Sequence, residues 1–268
     1  MIDSIKKNSL EFFNANGLPS KKLENWKFTS SKNFKNFNKS SSKAEKQKIE
    51  SDELSIVFIN GVLDIDSLEN FKFSDLLEVK NLNEIDNEEL LHCSANFLNE
   101  SMFNLGVSEF ENGNYLSFKK NSVVDEVINI KNYFFENGEN ERVSSFNIFH
   151  INEGSEISII EEDIKENYSI FNLKLNKFIC ENSSILKYGK SFNDDSQTHS
   201  LSYNYYQIEK DVALSVDSMV KSSFFNKEFI EVDLNNVGSD AKINILNLGK
   251  QEQHVDNNIL INHNAEHC

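Results

Sequence analysis

The sequence predicts a mostly β fold: a right-handed parallel β-helix, a stacked-sheet solenoid, preceded by a small α-rich N-terminal region. Three observations predict it. After about residue 115, short β-branched, aromatic and alternating runs such as 171–175 and 229–234 are separated by Asn, Glu, Gly and Ser turns. No long helical pattern interrupts them. Four turn-then-strand segments, 155–159, 183–187, 211–215 and 239–243, begin at steps of 28 residues. Such a period marks a repeat fold, in which each coil covers its apolar face only by stacking on its neighbours. A β-sandwich with evenly spaced turns is the plainer alternative.

The expected division is a helical region over 1–115 and a β-helix core over 116–268. Residues 2–14 form an amphipathic pattern with Ile2, Ile5, Leu10 and Phe13 able to share one face, ended by Gly17 and Pro19. Residues 30–50, rich in Lys, Ser and Asn, are expected to be a mobile linker. Ile56, Val57, Phe58 and Ile59 make a buried-type strand turned by Asn60-Gly61. Residues 87–104 carry Leu91, Ala95, Leu98 and Met102 at helical spacing, with Glu88 and Glu89 at the positive end of the helix dipole. A fifth repeat would begin at 267, and the sequence stops at Cys268. The expectation is therefore an incomplete β-helix, marginally stable or aggregating alone. Each large apolar side chain left uncovered forgoes about 1.5–3 kcal/mol, against a domain stability of about 5–15 kcal/mol.

Composition excludes several functions. The 268 residues carry a net charge of −16, which repels phosphate backbones, so no nucleic-acid partner is expected. There is no 18-residue apolar run and no signal-peptide core, so no membrane partner and a cytoplasmic location are expected. Cys93, Cys180 and Cys268 are an odd, widely spaced set, unlike a disulfide framework. The nine glycines form no dinucleotide or P-loop motif, and there is no nucleophile elbow. Asp194-Asp195 and Glu161-Glu162-Asp163 read as solvated turns rather than paired catalytic carboxylates. Cys93 and Cys180 read as small buried residues. The C-terminal cluster of His263, His267 and Cys268, with His254 and Asp256 nearby, offers imidazole and thiolate ligands for iron or zinc. Surface histidines with an incidental cysteine is the plainer reading. No catalytic or cofactor-binding residue is assigned.

Two segments go beyond pattern. Gly17-Leu18-Pro19 followed by Glu24-Asn25-Trp26-Lys27-Phe28-Thr29 resembles the N-terminal signature of the SufD family of iron–sulfur cluster assembly scaffolds. Gln253-His254-Val255-Asp256-Asn257 and the stretch from Ile261 to Cys268 resemble the core segment shared by SufB and SufD. The resemblance implies a non-catalytic scaffold pairing through its β-helix with a SufB-like subunit. It further implies a SufC-like ATPase docking on C-terminal helices that this sequence does not reach. A nascent Fe–S cluster would be built by the complex, with no cofactor stably bound by this chain alone. Lys227 stands where the family often carries Arg, which puts a bidentate contact there in question. Two other readings compete: a β-helical enzyme acting on acidic glycans, and a generic solenoid adaptor.

Overall fold

The computed structural model describes residues 2–40, 49, 51–85, 100–111, 113–135, 140–165, 169–193, 198–221, 224–249 and 252–268. In chain order these form α1 (Ile2–Asn16), β1 (Asn38–Lys39), β2 (Ser55–Ile59), β3 (Val62–Leu63), α2 (Ile65–Glu69), β4 (Leu77–Asn81), α3 (Ser101–Glu109) and β5 (Asn114–Phe118). Ten longer strands follow: β6 (Val123–Phe134), β7 (Glu141–Ile151), β8 (Glu156–Lys165), β9 (Ile170–Cys180), β10 (Ile185–Asn193), β11 (Thr198–Ile208), β12 (Ala213–Lys221), β13 (Phe225–Leu234), β14 (Asp240–Leu248) and β15 (His254–His263).

The ten alternate between two sheets, and each pairs in parallel with the strand two places away. One sheet runs β15-β13-β11-β9-β7-β5-β4, with β1 also on β7; the other runs β14-β12-β10-β8-β6-β2-β3. This is a β-solenoid of about five turns. The face-to-face antiparallel sheets of a sandwich are not what these strands build. The even step of 28 is an average: Glu156 aligns with Ile185, Ile185 with Ala213 and Ala213 with Asp240, steps of 29, 28 and 27. Side chains need only meet in register on the strands, so corners absorb an extra residue.

One corner shows how. Asn121, Gly154, Ser183, Asp211, Gly238 and His267 all have positive φ. Each before the last donates its backbone N–H to the corner of the next coil, as Asn121 to the Glu153 carbonyl at 2.9 Å and Gly238 to the His267 carbonyl at 3.0 Å. At Gly238 (φ +77°) a Cβ would lie 2.1 Å from Asp211 Oδ1, so a larger residue would have to push the Asp211 side chain aside, and the positive φ itself favours glycine.

The interior has an apolar end and a polar end. At the apolar end Phe149, Phe178 and Tyr206 stack in register at 4.8 and 4.6 Å, each pair contributing about 0.5–1.5 kcal/mol beyond burial. At the polar end the amides of Asn114, Asn147, Asn176 and Asn204 form a ladder of 2.9, 3.1 and 3.2 Å bonds that finishes on Glu228. Glu161 is buried there with Lys174, which also pairs with Asp163 at 2.6 Å, and Lys190 pairs with Glu228 at 3.2 Å. This corrects the reading of Glu161-Glu162-Asp163 as a solvated turn. The segment lies on β8, and alternation sends Glu161 and Asp163 inward to the two lysines.

The N-terminal segment covers the outer face of the first sheet. Trp26, Phe34 and Phe37 join Phe103, Phe171, Leu173, Tyr203 and Phe225 in one buried cluster. In consequence every residue of β9 is buried, whereas β12 of the bare second sheet alternates. The linker expected over 30–50 is corrected in part: Phe34 and Phe37 are buried and β1 pairs with β7; residues 41–48 and 50 lie outside the described residues. The α1 pattern places Ile2, Ile5 and Phe13 against the cluster, but Leu10 is exposed. The helix ends as read, with Gly17 at φ +65° bonding back to Phe13. Asn60-Gly61 turns β2 into β3. Of the helix expected over 87–104, residues 87–99, including Cys93, lie outside the described residues, and α3 covers 101–109. The boundary at 115/116 falls inside β5, and β2 and β4 upstream of it already belong to the two sheets.

Candidate functional site

The two segments singled out in the sequence meet. The turn at Glu24–Trp26 and the chain through Thr29 lie on the outer edge of β13 and β15. Even-numbered residues of β13 face the interior, so Phe225, Lys227 and Phe229 face the covering segment. The register then sets His254 beside Phe225 and Asp256 beside Lys227. Thr29 Oγ1, fully buried, lies 3.0 Å from His254 Nε2 and also donates to Asp256 Oδ2. Lys227 Nζ reaches the same Oδ2 at 2.6 Å, and Asn258 donates to Asn25 at 3.2 Å. Residues more than 220 positions apart thus form one clasp.

Its electrostatics follow from burial. Lys227 has a fully covered side chain, and desolvation lowers its pKa, opposed by the bond to Asp256. Its ammonium lies 5.1 Å from the Trp26 ring centroid and 4.6 Å from that of Phe229. The question raised by lysine at this position has a geometric answer: one point contact to Asp256 and two ring faces replace a planar fork. Burial also lowers the pKa of His254, with the Asp256 charge opposing it and Lys227 and Lys21 adding to it. The ring is thereby held toward its neutral form beside the Thr29 hydroxyl.

Next to the clasp, Glu100 accepts from Trp26 Nε1 at 2.7 Å and from Tyr203 OH at 3.0 Å. Burial raises its pKa in spite of those two donors. No sequence pattern connected Glu100 with Trp26. Glu100 carried no mark of its own until the sheet brought Tyr203 beside it and the signature residue Trp26.

Of the metal-ligand candidates, His263 and Cys268 come together, with Nδ1 3.4 Å from Sγ. The Cys268 thiol donates to the Ala265 carbonyl at 3.0 Å. His267 serves the positive-φ corner over Gly238. Among the described residues no three His, Cys, Asp or Glu side chains are arranged to hold a metal ion. Cys180 is buried at the end of β9; desolvation, then the Glu181 charge, pushes its thiol pKa far up and keeps it protonated. Asp194 and Asp195 lie outside the described residues.

β14 and β15 are the last strands of their sheets, and Leu246, Leu248, Ile259, Leu260 and Ile261 on them are 40–52% exposed.

Comparison with family models matches residues 134–268, half of the chain, to the SUF system FeS cluster assembly, SufBD core domain. The chain belongs to this family. The match covers β7 to β15, so the polar interior and the corner ladder, apart from Asn114 and Asn121, and the β13–β15 side of the clasp lie within the SufBD core match. The family assigns the chain a part in Fe–S cluster assembly. No curated protein matches the chain. No helix among the described residues is long and apolar enough to cross a membrane.

Proposed function

We propose that the chain is a SufD-like scaffold subunit, itself without turnover, that pairs through its β-solenoid with a SufB-like subunit. The Fe–S cluster is then cargo of the complex, and a SufC-like ATPase supplies the energy. The observation that carries this reading is the clasp. The Trp26-Lys27-Phe28-Thr29 signature, which distinguishes SufD-like from SufB-like sequences in the resemblance, binds the His254–Asp256 step of the SufBD core through Thr29. The glycan-enzyme reading gains nothing from the geometry, because Glu161, buried, and Asp163, partly buried, pair with Lys174 instead of lining a groove. The test is co-expression with SufB-like and SufC-like proteins, followed by size-exclusion chromatography with mass measurement. A stable complex containing this chain and the SufB-like subunit is expected. A chain that elutes alone while the other two associate would overturn the reading.

A further inference from the structure

Beside the asparagine ladder, the interior of the solenoid holds a second polar row that is interrupted. Four residues earlier along β9 and β11, Asn172 and Ser200 stand in register, and Asn226 on β13 continues the row. The three are 2%, 2% and 0% exposed. Valines close the row at both ends, Val143 on β7 and Val255 on β15. Asn172 Nδ2 donates to Asp163 Oδ2 at 3.0 Å. Among the described residues no protein group bonds to Asn172 Oδ1, to Ser200 Oγ or to either amide atom of Asn226. Buried polar atoms are almost always paired, because one left bare bears its full desolvation cost.

We propose that this row is a binding site for a buried water, centred on Ser200 and bridging Asn172 and Asn226. Three features argue for it. The first is room. In the intact ladder, amides on adjacent coils bond directly at 2.9, 3.1 and 3.2 Å. Serine at the middle of the second row is smaller than asparagine by two side-chain heavy atoms, on the scale of the roughly 30 Å³ that one water takes. The second is chemistry. The bare atoms include donors, from the Asn226 amide and the Ser200 hydroxyl, and acceptors, from Asn172 and Asn226. Water serves both kinds, and three residues supply the partners a buried water needs. The third is charge. None of the bare atoms is ionic, and the charged groups two residues further along, Lys174 and Glu228, already pair with Asp163 and Lys190. The site therefore favours a neutral ligand over an ion.

The water does for this row what direct amide bonds do for its neighbour. It ties three consecutive coils together at the polar end of the interior, where no apolar stack of the kind formed by Phe149, Phe178 and Tyr206 is available. The site does not depend on the chain acting as a scaffold.

Two measurements on the full chain test this. In the nitrogen-15-labelled protein, the Asn226 side-chain amide should show a rotating-frame cross-relaxation peak to a long-lived water. Ser200→Asn supplies the missing amide and displaces the water, so that peak should vanish while circular dichroism stays native. Asn226→Leu, close in size, has opposite signs in the two cases. In a dry row leucine removes two uncompensated polar groups, and the thermal midpoint rises. With the water in place leucine takes away its partner, and the midpoint falls by several degrees. A midpoint that is unchanged or higher, an Asn226 amide without a water peak in the unsubstituted chain, or a peak that survives Ser200→Asn would overturn the proposal. Exchanging sodium for potassium or tetramethylammonium at constant ionic strength should leave the midpoint unmoved. A midpoint that follows the cation would overturn it too, in favour of a bound ion.

Discussion

Arg142 is the only arginine in the chain, and its position makes a sharp test of how the N-terminal cover is held. Its Nε lies 2.6 Å from Glu109 Oε2, its Nη2 lies 2.5 Å from Oε1, and its Nη1 donates to the Phe37 carbonyl at 2.9 Å. Both side chains are largely buried, at 12% and 13% exposure. The residue therefore ties β7 at once to α3 and to the Phe34–Phe37 turn. Lysine keeps the charge but has one point donor group in place of a planar fork. Arg142→Lys loses one arm of the fork and the bond to Phe37. Hydrogen bonds to charged groups contribute about 1.5–3 kcal/mol, so a loss of about 2–3 kcal/mol is expected after partial rescue by the ammonium. Arg142→Ala leaves Glu109 without its partner and should cost about 3–5 kcal/mol. Equilibrium urea unfolding followed by circular dichroism and by Trp26 emission measures both. A double-mutant cycle with Glu109→Gln isolates the pair. An Arg142→Lys midpoint corresponding to less than about 0.5 kcal/mol, the scale of an ordinary surface substitution, would refute the argument that the fork anchors the cover.

Glu161 supplies a pH prediction. Burial alone would raise its pKa, but the Lys174 and Lys190 charges and bonds from Lys174 and Tyr188 outweigh burial and hold it below the ordinary carboxylate value. A lowered folded-state pKa means stability that is fully present above the unfolded value and lost as pH falls through the folded one. Thermal midpoints should therefore drop below about pH 4, and Glu161→Gln should flatten that drop; an unchanged acid limb would count against it. At the corner ladder, Gly238→Ala faces both φ +77° and a 2.1 Å clash with Asp211, whereas Gly17→Ala faces only φ +65° with nothing within 4 Å. Each should cost about 1 kcal/mol, the first somewhat more because the Asp211 side chain must swing aside, read as shifts in melting temperature; no shift at Gly238 would contradict the positive-φ corner. Thr29→Val removes the hydroxyl shared by His254 and Asp256. It should cost about 1–3 kcal/mol and red-shift Trp26 emission as the clasp loosens, with an unmoved spectrum the contrary result.

Much of the solenoid was legible because a coil that repeats must repeat its pattern. Ile157, Leu186, Leu214 and Ala241 fall in one register row and show as apolar positions after each turn. The hairpin at Asn60-Gly61 and the helix stop at Gly17 were equally readable, since positive φ leaves a local mark on residue choice. What a strand meets on its second face leaves no such mark. Phe34 and Phe37 sit among Lys, Ser and Asn, and only the outer face of β9 and β13 explains why they are buried. Glu161 and Asp163 looked like solvent-facing acids because their shared lysine partner, Lys174, stands 13 and 11 residues further on, across the interior.

The sequence by itself determined the repeat, the sheet-forming half and the family, because those depend on local periodicity and on two short motifs. Only the tertiary structure decided what the motifs do. Thr29, Lys227, His254 and Asp256 acquire a shared role when the register of β13 against β15 sets them side by side and the N-terminal turn closes over them. Register and closure are contacts between distant parts of the chain, and their energy lies in the pairing of residues, not in any one stretch of sequence.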